Sequence, residues 1–86
     1  MRILIIEDEY PLADAISETL KKENFNVDIV TDGIDGENEV LTGIYDLILL
    51  DIMLPGKDGF EILQSIKQEK IKIPVIMLTA KSQMND

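Results

Sequence analysis

The 86-residue sequence contains no cysteine and no histidine. Without cysteine there is neither a disulfide framework nor thiol chemistry. Without histidine, metal sites built on imidazole and reactions that need a histidine base are excluded. Basic residues are also scarce, with 8 lysines and arginines against 17 aspartates and glutamates and a net charge of −9. We therefore expect no direct binding of nucleic acid or of an anionic membrane, whereas a cation site or a basic protein partner is compatible with this charge.

Long apolar runs are missing as well, and none approaches the length that crosses a membrane. The N-terminal run ends after Ile6 at two acids, so it is too short and too acidic to continue as a signal peptide. We expect a soluble, cytoplasmic protein. The length suffices for one small domain, residues 1–86, and a hydrophobic content of 45% is enough for a globular core.

Apolar segments of strand length alternate with segments of helical periodicity. Strands are predicted at residues 2–6, 26–30, 46–51 and 73–80, and helices within the stretch 7–25, where Asn24 ends the helix, at about residues 34–43 and at residues 60–70. In the first helix Pro11 suits the opening turn and Lys21 the last one, while Gly36 and Asn38 lower the helix propensity of the second. The order β-α-β-α-β-α-β predicts an α/β fold with right-handed crossovers and a parallel sheet covered on both faces.

Four oxygen-bearing side chains follow or close the predicted strands. Glu7 and Asp8 come directly after the first strand, Asp51 closes the third, and Thr79 lies near the end of the fourth. Ligand sites of open parallel sheets lie beyond the carboxyl ends of the strands. If the first and third strands are neighbours, the three carboxylates converge there, and their repulsion calls for a cation. An all-oxygen ligand set favours Mg²⁺, Mn²⁺ or Ca²⁺, and a few carboxylates completed by water are typical of Mg²⁺.

The same residues have simpler interpretations. Asp51 could settle the local backbone, Asp8 could cap the first helix, and Glu7 could be a solvated acid at a strand end. Thr79 is a β-branched residue of the kind common in strands.

A carboxylate beside Mg²⁺ can also accept a phosphoryl group, which gives an aspartyl phosphate.

Three motifs carry a resemblance to a known family. "ILIIEDE" (3–9), "DLILLDIMLPGKDGFEIL" (46–63) and "IPVIMLTAK" (73–81) together resemble the receiver domain of bacterial two-component response regulators, most closely the winged-helix transcription-factor branch. The resemblance covers essentially the whole chain. It implies a flavodoxin-like, doubly wound parallel sheet, here with order 2-1-3-4 and the fifth strand missing.

The resemblance also implies roles for five residues. Asp51 would accept a phosphoryl group from a phosphohistidine on a sensor histidine kinase. Asp8 and Asp51 would bind Mg²⁺ directly, Glu7 through water, and Met53 through its backbone carbonyl. Thr79 would be the switch hydroxyl. Such a domain is regulatory, with at most self-phosphorylation and self-dephosphorylation as activities of its own.

The sequence departs from the family pattern at its C-terminal end. The pattern continues with a fourth helix, a fifth strand and a fifth helix, about 35 residues in all, whereas this sequence ends at Asp86. The family's fifth-strand lysine has no counterpart, since neither Lys57 nor Lys81 occupies its position. We expect a truncated receiver without its DNA-binding output domain. Its fourth strand would present an open edge, which predicts self-association.

Two other functions remain open at this stage. The chain could be an assembly module that keeps the fold but is impaired in phosphotransfer. It could also be a Mg²⁺-dependent phosphohydrolase with an aspartyl nucleophile, although such enzymes usually have an acid two residues after the nucleophile, where this sequence has Met53.

Overall fold

A computed structural model describes residues 1–78. Strands and helices alternate along them as predicted. The elements are β1 Arg2–Ile6, α1 Tyr10–Lys22, β2 Asn26–Val30, α2 Gly33–Val40, β3 Leu47–Asp51, α3 Gly59–Gln68 and β4 Val75–Leu78. No helix within the described residues is both long enough and apolar enough to cross a membrane.

The four strands form one parallel sheet in the order β2-β1-β3-β4, which confirms the predicted order. The register pairs Ile6 of β1 with Val30 of β2 and with Leu50 of β3. Leu50 in turn pairs with Met77 of β4. The reversal of strand order lies between β1 and β3, so residues that follow these two strands meet at the point where parallel sheets bind ligands.

The sheet is covered on both faces, because its central strands are apolar on both sides from Ile3 to Ile6 and from Leu47 to Leu50. Alternate side chains of β1 and β3 pack on α2 and α3 in one core, which contains Leu4, Ile6, Val40, Tyr45, Ile48, Leu50, Ile62 and Ile66. The intervening residues of β1, Ile3 and Ile5, point to the opposite face and are also fully buried. There α1 lies on β1 and β2 and buries Ala13 and Ser17.

The predicted second helix, residues 34–43, is shorter in the structure and starts one residue earlier. The side chain of Asp32 accepts a hydrogen bond of 2.8 Å from the N–H of Asp35, so the helix begins at Gly33. Its end is set by Gly43, which has a φ of +74° and donates its N–H to the carbonyl of Val40. A glycine adopts this left-handed conformation without steric strain, and the helix stops there.

The predicted fourth strand, residues 73–80, begins later than expected. Pro74 precedes β4, and its carbonyl oxygen accepts a hydrogen bond of 3.0 Å from Ile48. Among residues 1–78, β4 pairs only with β3, and Ile76 is 52% exposed. Thr79 lies outside the described residues.

Candidate metal and phosphoacceptor site

The pairing of β1 with β3 brings three acidic side chains to one point at the carboxyl edge of the sheet. Glu7 and Asp8 follow β1 directly, and Asp51 is the last residue of β3. One carboxylate oxygen from each of the three lies within 4.8 Å of the others. We call Glu7, Asp8 and Asp51 the carboxyl cluster. Of the four side chains singled out in the sequence, the structure brings these three together, and Thr79 lies beyond the residues it describes.

The backbone after β1 determines how the first two acids are placed. The N–H of Glu7 donates to the carbonyl of Val30 at 3.0 Å, which extends the hydrogen bonds between β1 and β2 by one residue. The carboxylate of Glu7 then accepts a bond of 3.0 Å from the N–H of Glu9. Glu7 is consequently turned inward with 4% exposure, whereas Asp8, the next residue, is exposed.

Asp8 does not cap the first helix, and Asp51 does not cap the third. The residue that precedes α1 is Glu9 rather than Asp8, and its side chain makes no capping hydrogen bond within residues 1–78. The cap of α3 is Asp58, which accepts a bond of 2.9 Å from the N–H of Glu61. Asp51 therefore caps no helix, although it is only 7% exposed. A buried acid that caps no helix is a candidate for a functional role.

Burial makes the negative charge of the cluster unfavourable. Desolvation raises the pKa of Glu7 to about 7, and the nearby charge of Asp51 acts in the same direction against the hydrogen bond from Glu9. Desolvation likewise raises the pKa of Asp51, and the charge of Asp8 adds to this, while bonds from Glu7 and from the backbone N–H of Met53 oppose it. Burial thus disfavours full ionisation of the carboxyl cluster when no cation is bound.

No lysine or arginine neutralises the carboxyl cluster in the part of the chain that the structure describes. The two ion pairs found within residues 1–78 join Arg2 to Asp28 at 2.9 Å and Lys57 to Glu37 at 2.6 Å. Lys57, one of the two lysines considered in the sequence, therefore points its amine at α2. Lys81, the other one, falls outside residues 1–78.

The donor set of the cluster fits a hard divalent cation. All three side chains offer carboxylate oxygen, two of them are buried, and their mutual repulsion would be relieved by a positive ion. Asp8 also lines an open cleft of about 430 Å³ together with Met53 and Pro55 of the following loop. The cluster is thus reachable from solvent on the side of Met53, and residues present at the site suit Mg²⁺.

The loop that carries Met53 ends at a capping box at the start of α3, and this box was not predicted from the sequence. Asp58 and Glu61 form a capping box, in which each side chain accepts a hydrogen bond from the other residue's backbone N–H. Acid, two residues, then glutamate is the sequence signature of such a box, and "DGFE" at residues 58–61 contains it. The box starts α3 at a defined point and so limits where the loop that carries Met53 can lie.

A second polar cluster was also missed, at the opposite, amino edge of the sheet. The hydroxyl of Tyr45 lies 2.8 Å from Asp28 and 2.9 Å from Glu39. Arg2 bonds Asp28 at 2.9 Å, and its guanidinium lies 5.5 Å from the centre of the Tyr45 ring. We call Arg2, Asp28, Glu39 and Tyr45 the amino cluster. The sequence feature that could have indicated the amino cluster is Asp28, a charged residue inside a predicted strand. Arg2 pairs with Asn26, so Asp28 is its diagonal neighbour on the adjacent strand.

Comparisons with known proteins agree with the fold. A family model described as the response regulator receiver domain matches residues 3–86. The transcriptional regulatory protein DltR of Streptococcus agalactiae is 46% identical over 86 residues, which make up 100% of this chain and 38% of DltR. The chain thus spans well under half the length of this curated relative.

Solved receiver structures superpose closely. The response regulator TrrA of Thermotoga maritima, in complex with Mg²⁺ and BeF, has a TM-score of 0.87 at 33% identity, over 98% of this chain and 73% of TrrA. The receiver domain of the sensor histidine kinase PA1611 of Pseudomonas aeruginosa, with a magnesium ion coordinated in its active-site cleft, has a TM-score of 0.88 at 31% identity, over 99% and 71% of the two chains. With the observed strand order, these likenesses establish the flavodoxin-like fold class.

Proposed function

Because this chain belongs to the response regulator receiver family, we propose that it accepts a phosphoryl group on Asp51 from a sensor histidine kinase. The observation that carries the proposal is the carboxyl cluster, whose three acids converge within 4.8 Å at the switch point of the sheet. Asp51 is the member at the end of the central strand, it lines a pocket together with Glu7, and it caps no helix.

We assign Mg²⁺ as the cofactor of this site. Asp8 and Asp51 are the proposed direct ligands, Glu7 acts through water, and Met53 contributes its backbone carbonyl. Support comes from the all-oxygen donor set, from the burial of Glu7 and Asp51, and from the position of Met53 beside Asp8 in one cleft. A bound Mg²⁺ supplies positive charge that offsets the charge of phosphoryl oxygens.

The proposed transfer uses Asp51 as the nucleophile. A carboxylate oxygen of Asp51 attacks phosphorus on the phosphohistidine, an O–P bond forms, and the P–N bond breaks with its electron pair leaving on the imidazole nitrogen. Because burial raises the pKa of Asp51, the positive charge of an ion held by Asp8 and Asp51 would favour the ionised, nucleophilic form of this carboxylate. Thr79, the proposed switch hydroxyl, would then hydrogen-bond a phosphoryl oxygen. That role remains a prediction.

The relatives support a proposal for the wider role of the protein. DltR is a transcriptional regulatory protein of which this chain matches 38%, and we propose that the phosphorylation state of this domain controls a DNA-binding output domain. The domain is regulatory, and its own activities are limited to self-phosphorylation and self-dephosphorylation. Its net charge of −9 supports a basic protein partner over direct contact with nucleic acid. A cytoplasmic location is part of the same proposal.

Intact mass after incubation with Mg²⁺ and a small acyl phosphate tests the phosphoacceptor assignment. We expect the parent chain to gain the mass of one phosphoryl group and the Asp51→Asn variant to gain none. Asp46→Asn is the matched control, because it makes the same substitution just before the opposite end of the same strand and should be phosphorylated like the parent. An equal gain in Asp51→Asn would refute the assignment.

We also propose that the 86-residue polypeptide self-associates through the edge of β4. Within residues 1–78 this strand pairs only with β3, and an unpaired strand edge is a template for another chain. Sedimentation should show a dimer or larger species that Ile76→Lys weakens, whereas Ile44→Lys, at a similarly exposed residue outside β4, should not. A monomer at every concentration would contradict the proposal.

A further inference from the structure

The loop of residues 52–58, which we call the acceptor loop, connects Asp51 to α3 and carries Met53. Between its two ends it packs against α2. The N–H of Gly33, the first residue of α2, donates to the carbonyl of Pro55 at 3.0 Å. A Cβ atom on Gly33 would overlap the carbonyl oxygen of Lys57. The two backbones therefore touch, and only glycine leaves room for this approach.

A second contact lies one turn further along α2. The amine of Lys57 is 2.6 Å from a carboxylate oxygen of Glu37, and the two side chains are only 30% and 20% exposed. The nearby ammonium group of Lys57, and then the hydroxyl of Ser65 on α3, hold the pKa of Glu37 below its usual value. Because Gly33 and Glu37 are four residues apart, both contacts come from the same face of the helix.

We propose that α2 clamps the acceptor loop through these two contacts, and that this clamp positions Met53 and Asp51 for Mg²⁺. The inference rests on the proposed metal site and assigns positioning roles to Gly33, Glu37 and Lys57. If the clamp and the bound ion favour the same conformation of the loop, each strengthens the other by the same factor, because coupling between two binding events is reciprocal.

The substitution Lys57→Met separates the clamp from simple electrostatics. It removes a positive charge from a chain of net charge −9, so the change in Coulomb energy alone would tighten the binding of Mg²⁺. Loss of the clamp should instead weaken the binding of Mg²⁺. We expect the Mg²⁺ dissociation constant, measured by titration of the purified chain, to rise by about five-fold or more. Lys57→Arg, which can restore the ion pair, should return it towards the parent value.

Arg2→Met is the matched control. It breaks the other ion pair of the described residues, that with Asp28 at the amino edge, and it changes the net charge by the same amount. Its Mg²⁺ dissociation constant should stay within about two-fold of the parent. Equal weakening by both variants would mean that a general loss of stability is responsible, and would overturn the clamp.

Hydrogen exchange reports on the clamp without metal. The amide of Gly33, which is bonded to Pro55, should exchange faster in Lys57→Met than in the parent, and adding Mg²⁺ to the parent should slow it. Unchanged exchange, or Mg²⁺ binding by Lys57→Met that equals or exceeds that of the parent, would overturn the inference while leaving phosphorylation of Asp51 intact. A parent chain that neither binds Mg²⁺ nor gains phosphate would instead refute the proposed function, and the clamp with it.

Discussion

At the amino edge of the sheet Asp28 lies beside Arg2 and Tyr45, whereas at the carboxyl edge Asp51 lies beside Glu7 and Asp8. The hydrogen bond from Tyr45, with further help from Arg2, lowers the pKa of Asp28, while burial raises the pKa of Asp51. Both edges therefore concentrate acids, but within residues 1–78 a positively charged side chain accompanies them only at the amino edge, where Arg2 pairs with Asp28. Acids in the first setting stabilise the native state, and those in the second are free to bind a cation.

The largest expected effect is stabilisation by Mg²⁺, which should act on the carboxyl cluster alone. At a concentration about 100 times the dissociation constant, a ligand of the native state adds about 2.7 kcal/mol to the free energy of unfolding. Urea unfolding with and without Mg²⁺ measures this increment. Asp8→Asn should abolish it, and Asp28→Asn, at the other edge, should keep it. An increment that survives in Asp8→Asn would place the ion elsewhere.

The second-largest expected effect comes from removing the Tyr45 hydroxyl, which contacts both Asp28 and Glu39 in the amino cluster. Tyr45 is 4% exposed, and its hydroxyl faces two carboxylates. Tyr45→Phe should lower the free energy of unfolding by about 2 kcal/mol, because hydrogen bonds to charged groups contribute about 1.5–3 kcal/mol. Chemical denaturation measures the loss. The Mg²⁺ affinity of this variant should match the parent, and a large change in it would show that the two edges are not independent.

A smaller effect concerns pH in the absence of metal. Above pH 4.5 the unfolded chain releases the proton of Glu7, while the native chain keeps it until about pH 7. The unfolded state then binds fewer protons, so stability falls as pH rises through this range. We expect the free energy of unfolding to fall by about 1.5 kcal/mol between pH 5 and 7. This is less than the full pKa shift of Glu7 would give, because water enters the site as Glu7 ionises.

Unfolding curves at pH 5 and pH 7 with a chelator present measure this loss. Glu7→Gln should flatten the dependence. Asp28→Asn should retain it, because the pKa of Asp28 is lowered rather than raised, so this acid is ionised throughout the range in both states. Parent-like behaviour in Glu7→Gln would show that another group titrates.

The smallest effect lies between the two edges, on α1. The hydroxyl of Ser17 is buried and has no hydrogen-bond partner within residues 1–78. Ser17→Ala should raise the free energy of unfolding by about 1 kcal/mol, since it removes an unpaired polar group and favours the helix. Thermal unfolding measures the gain. A decrease would indicate that the hydroxyl is hydrogen-bonded in solution.

Much of the fold could be predicted because the signals are local. Apolar runs of strand length, one alternating segment and helical patterns located all seven elements, and the strand order followed from the family resemblance. Element ends were less accurate, since the second helix stops at Val40 through the backbone conformation of Gly43. The amino cluster and the contacts of Gly33 with the acceptor loop were not predicted, because they join residues distant in sequence, whose proximity depends on strand register.

The sequence by itself determined that strands and helices alternate, and hence that Glu7, Asp8 and Asp51 lie at one edge of a parallel sheet. Only the tertiary structure decided which of these acids is buried away from solvent. Glu7 and Asp8 are neighbours with the same charge, yet the bond from Glu7 to Val30 continues the sheet and turns Glu7 inward at 4% exposure. Successive side chains on an extended backbone point to opposite sides, so Asp8 remains in solvent.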